Sequence, residues 1–157
     1  MVAEFMEEEQ AIAVQQQATA LANGNGFAQK IVQEVNEQGF YTTLDIATLE
    51  GKKKLYSATN ASVLLRDYME TPLPITAITF SPSEISDEDG NPFTTLGVFL
   101  TDKDGQTYSS TSTGVLKSAM RILAQFGEPD TWGEPLNVVC KETNTAKGRR
   151  YKFLDVE

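Results

Sequence analysis

Residues 93–127, FTTLGVFLTDKDGQTYSSTSTGVLKSAMRILAQFG, decide the fold. Leu96, Val98 and Leu100 alternate with Thr95, Gly97, Phe99 and Thr101, the two-residue period of a strand with one face on a core. Asp102-Lys103-Asp104-Gly105 then reads as a hairpin turn, and residues 106–112 as the returning strand. The period changes after that. Ser112 or Thr113 caps a helix in which Val115, Ala119, Ile122, Leu123 and Phe126 share one face. Gly127 fits the left-handed position past its end, and Pro129 forbids continuation.

Working outward, residues 75–85 form a further strand, joined to the one at 93–101 by the turn cluster SDEDGNP. Two strands close the chain, near 136–142 and 149–156, with NTAKG turning between them. The order is three antiparallel strands, a helix, then two strands, which is that of the OB-fold. Closure removes sheet edges and buries the helix stripe at one end. The expected class is therefore mostly β: a five-stranded OB-type barrel with one helix between its third and fourth strands, and Trp132, in PDTWGEP, plugging the barrel end. An open meander with a packed helix is the alternative.

Upstream, Phe40–Leu44 reads as a short strand, residues 48–58 as a helix capped by Thr48, and residues 61–69 as a short helix or turn. Pro72 and Pro74 enforce extended backbone. Residues 1–38 differ in composition, rich in Ala, Gln and Glu and free of Pro. Ala11, Val14, Ala18 and Leu21 predict a helix near 4–22. Phe27, Ile31 and Val35 predict another near 27–37, after the breaker Asn23-Gly24-Asn25-Gly26. Stripes this narrow need a partner, so the segment is either a self-association or packing arm, or a frayed tail. The expected division is an arm over 1–38 and a domain over 39–157.

Composition excludes several chemistries. The 157 residues hold no His, which removes histidine triads and the commonest zinc ligand. Asp87-Glu88-Asp89-Gly90 and Asp102-Lys103-Asp104-Gly105 each resemble half a calcium loop without the late Glu, and read as turns. Cys140 alternates with Leu136 and Val138, faces the core and has no base to activate it. With one cysteine there is no internal disulfide, which suits the cytosol. No stretch is long enough to span a bilayer, and the N-terminus lacks a leader pattern. No cofactor, no metal and no catalysis are expected.

The net charge of −9 argues at first against a polyanionic partner, but the cations are clustered. Lys52, Lys53 and Lys54 run into Leu55 and Tyr56; Arg149, Arg150, Tyr151, Lys152 and Phe153 repeat the theme on the last strand; Lys117 and Arg121 sit four apart on the helix. Cations hold phosphates, and flat rings take unstacked bases, so this interleaving points to single-stranded nucleic acid. Strand parity adds Phe99, expected to point outward beside Gly97, and Tyr108 in the neighbouring strand. In the last strand Tyr151 and Phe153 oppose Lys152, Leu154 and Val156, and either set fits the core. The rival is an acidic OB-like protein–protein module with no nucleic-acid binding, since fold alone does not fix function.

Three segments carry a resemblance: GKKKLYSATN (51–60), STGVLKSAMRILAQFGEPDTWGEPLNV (112–138) and KGRRYKFLDV (147–156). They resemble the single-stranded DNA-binding proteins of small phages of Gram-positive bacteria that replicate by protein priming, over roughly residues 39–157. The resemblance implies a non-catalytic protein that coats and protects displaced strands in the host cytoplasm, with replication proteins as further partners. It also implies tyrosines in binding, at the matching positions Tyr56 and Tyr108. The 38-residue arm departs from the shorter members.

Overall fold

The computed structural model describes residues 26–157. The expected helix near 4–22 lies outside them. Three hairpins organise the rest, and two are arranged around one long strand. That strand, β3 (Leu73–Ser86), pairs antiparallel with β4 (Pro92–Asp102), which pairs with β5 (Thr107–Ser110). The third hairpin, β6 (Leu136–Asn144) and β7 (Arg150–Val156), joins the sheet where Leu73–Ile75 meet Leu136–Val138. Two short strands complete it. β1 (Tyr41–Thr42) pairs with β3 at Thr79 and Phe80, and β2 (Val63–Leu64) runs parallel to β5. The order is β2-β5-β4-β3-β6-β7, with β1 off this path.

Among the described residues the result is a mixed α/β fold, a curled half-barrel sheet with three helices, and not the mostly β class expected. The expected run of three strands, helix and two strands is present, with ends within a few residues of those read from the sequence. β2 is an addition, because residues 61–69 hold a two-residue strand before a 3-10 turn at Leu65–Tyr68.

One turn is used three times. In each hairpin a residue with a short polar side chain starts a five-residue loop whose fourth residue is a glycine at positive φ: Asp87 with Gly90, Asp102 with Gly105, and Thr145 with Gly148. Asp87 Oδ1 accepts from the amides of Asp89 and Asn91, and Asp102 Oδ1 from those of Asp104 and Gln106. Both acidic clusters are thus turn hardware, as the local chemistry of Asp and Gly requires.

The core lies on one face of the sheet. Ile75, Ile78 and Phe80 of β3, with Leu96, Val98 and Leu100 of β4, pack against helix α3 (Thr113–Phe126). A register shift between Ile75 and Ala77 lets Ile75 and Ile78 face the same way despite their odd spacing, which is what a bulge does. Helix α1 (Gly26–Gln38) buries Ala28, Ile31, Val32 and Val35 in the same core. Each large side chain so buried contributes about 1.5–3 kcal/mol. Trp132 packs at the core's margin, and its indole N–H donates to the carbonyls of Phe126 and Gly127, tying off the end of α3.

Candidate nucleic-acid interface

Helix α2 (Leu49–Asn60) forms where the sequence expects it, because Thr48 Oγ1 accepts the Gly51 amide at 3.0 Å. A side chain at Gly51 would run into the Asp45 carbonyl, so the first turn sits close on the preceding loop. Gly51 and Ala58 are buried, and the helix lies against β4. Its other sides are wet. Lys52, Lys53 and Lys54 are exposed, and Tyr56 is 73% exposed. Lys54 pairs with Glu50 at 3.5 Å; Lys52 and Lys53 make no ion pair among the described residues.

Lys52, Leu55, Tyr56 and Thr59 follow the i, i+3, i+4, i+7 spacing of one helix face. That face walls a groove of about 350 Å³, completed by Phe40 and Ile46 and by Ser81 of β3. Ser81 pairs with Gly97 and shares the sheet face of Thr79 and Phe99, opposite the core. Of the groove's walls, sequence reading singled out Lys52 and Tyr56. It missed Phe40, Ile46 and Ser81, since the groove's walls come from segments far apart in the chain.

Two expected ring positions are corrected. Phe99 does leave the core face, but it is only 8% exposed. α2 covers that part of the sheet, and the ring lies against Gly97. Tyr108 pairs with Leu100 and so shares its core face. It is 6% exposed, meets Tyr68 edge-on at 4.9 Å, and its hydroxyl donates to Asp102 Oδ2 at 3.0 Å. Burial, then that hydrogen bond, pushes the phenol up to about 12. As placed, neither ring offers a face to solvent.

The last strand's parity is resolved. Leu154 and Val156 pair with Cys140 and Val138 and join the core, with Lys152 on their side opposite Glu142. Tyr151 and Phe153 lie on the other face, half-buried and stacked at 6.4 Å with 19° between planes. Arg149 and Arg150 are exposed, and Arg150 reaches Glu142 at 3.8 Å. Gly114 lets α3 touch this strand, since any side chain there would strike the Lys152 carbonyl and the Tyr151 ring. Lys117 and Arg121, exposed on α3, follow Gly114 at i+3 and i+7. The cations therefore form two groups: one on α2 beside the groove, the other on β7 and α3.

Cys140 is buried as expected, and burial pushes its thiol up, the opposite of activation. Among the described residues no helix is long and apolar enough to cross a membrane.

Compared with known proteins, residues 34–157 match a family model described as phage single-stranded DNA-binding protein. No curated protein and no solved structure matches the chain.

Proposed function

The chain belongs to the phage single-stranded DNA-binding proteins of phi29-type phages, and from that premise we propose where and how it holds its strand. Members bind single-stranded DNA in phage replication and are not enzymes. The binding surface is the exposed side of α2, where Lys52, Lys53 and Lys54 take phosphates and Tyr56 stacks on a base. Arg149, Arg150 and Lys152, with Lys117 and Arg121, form a second phosphate-binding group, with Tyr151 as its ring. Phe99, buried beneath α2, serves as a support for this surface, while Tyr108 belongs to the core on the other face of the sheet. The observation that carries the reading is a tyrosine, Tyr56, 73% exposed among clustered cations on a chain of net charge −9. An accessible flat ring set among cations supplies both the stacking face and the phosphate contacts that an unpaired strand requires.

The curled sheet is the frame of an OB-type barrel, with β3, β4, β5, β6 and β7 as its five strands. Their order and the helix after the third strand support this reading. Because α1 spends its apolar face in the core, it belongs to the domain, and of the expected arm over 1–38 only residues 1–25 are left to serve self-association; replication proteins meet the coated strand in the host cytoplasm.

The test is a gel shift of the full chain with single-stranded and duplex DNA of equal length. Selective retardation of the single strand, lost with rising salt, is expected. For Lys52→Glu with Lys53→Glu, retardation equal to wild type would reject the α2 surface.

A further inference from the structure

We propose that the groove between α2 and β3 takes in one unstacked nucleobase of the bound strand, recognised by shape and ring contact. This rests on α2 being the binding surface, but it says more: the base enters the protein and does not merely lie on Tyr56.

The groove's volume, about 350 Å³, lies at the small end of ligand pockets and suits a single ring system better than a stacked run. Its walls are mostly apolar, from Phe40, Ile46 and Leu55. Thr59 adds little polarity, because its hydroxyl donates to the Leu55 and Tyr56 carbonyls at 3.1 and 3.3 Å. Ser81 and the Tyr56 phenol supply the other hydroxyls. Such a lining hydrogen-bonds weakly to a base edge, so it accepts any base of fitting size, as sequence-tolerant coating demands. Lys52 stands on the same helix face, where it meets the phosphate next to an inserted base. Charge thus selects the occupant: an apolar slot beside lysines fits a nucleotide better than another apolar surface. A paired base cannot enter without leaving its partner, so the slot also discriminates against duplex.

The experiment fills the slot and leaves its cations in place. Full-length Ser81→Leu and, separately, Thr59→Leu are titrated with oligo(dT) and with an abasic oligomer of equal length, and thermal melting reports folding. Two positions guard against one variant failing to fold. The expected result is a loss of about tenfold for oligo(dT), with the salt dependence and the abasic affinity unchanged. Folded variants that bind oligo(dT) like wild type overturn the proposal. So does a variant that loses self-association in sedimentation while keeping DNA affinity, which assigns the slot to a second copy. Lys52→Glu in parallel separates the two claims. If it weakens oligo(dT) and filling does not, the surface stands and the inserted base falls. If neither matters, both fall.

Discussion

Tyr56 and Tyr108 carry the same side chain to opposite fates. Tyr56 is exposed on α2 and touches the fold little, so Tyr56→Ala should leave the melting temperature unchanged. Its effect belongs to binding: a loss on the order of 1–3 kcal/mol in single-strand affinity by fluorescence titration, with Tyr56→Phe near wild type. Tyr108 is buried, and its hydroxyl satisfies Asp102 Oδ2. Tyr108→Phe should cost about 1–3 kcal/mol in urea unfolding, because the carboxylate loses a partner in a buried place. The folded phenol titrates at about 12, above the ordinary value near 10. Folding therefore favours the neutral ring. The corresponding stability is full below pH 10 and is lost as pH rises from about 10 to about 12. Tyr41, raised by burial and by Glu128, acts in the same direction. Unfolding free energy that stays flat across that window would contradict the burial of both rings. Parity on β4 sent Phe99 to the correct side of the sheet and still misjudged its exposure. Parity describes two faces and not what lies on them, and here α2 covers the second face.

Elements were legible wherever local chemistry sets their ends. Thr48, Gly127 and the three Gly turns each mark a boundary that the structure keeps, whereas Ser112 stands at the start of α3 without a side-chain capping bond, so there the position was legible and the expected cap was not formed. The two-residue strands were harder. β2 exists because β5 offers a parallel edge, a cause that no local pattern records. Two substitutions test how elements hold the site. Thr48→Ala removes the cap that receives the Gly51 amide and should cost about 0.5–2 kcal/mol of stability by urea unfolding. Because α2 carries the lysines, single-strand affinity should fall with it. Gly114→Ala inverts the usual rule. In an exposed helix the change would stabilise by about 1 kcal/mol. Here the methyl meets the Lys152 carbonyl and the Tyr151 ring, so the melting temperature should drop. A rise would mean that α3 does not press on β7.

The whole molecule is acidic, and its partner is an anion. Local clustering answers that conflict, since screened fields act over about 10 Å. Affinity should fall with salt at a log–log slope of about 0.7 per phosphate neutralised, and each lysine reversed on α2 should reduce the slope by about that amount. The chain has no His, so affinity should change little between about pH 6 and pH 8. At this scale the sequence revealed the succession of the five longer strands and the helix between the third and fourth, and the class of ligand, but not the two-residue strand β2 in the sheet. The groove stayed hidden, because Phe40, Ile46, Tyr56 and Ser81 converge only through the tertiary fold. The most direct test of the α2 surface is photo-crosslinking of bromodeoxyuridine-substituted single strands to the full chain, followed by peptide mapping. Adducts at Tyr56 within residues 49–60 are predicted, and adducts confined to other segments would contradict the account.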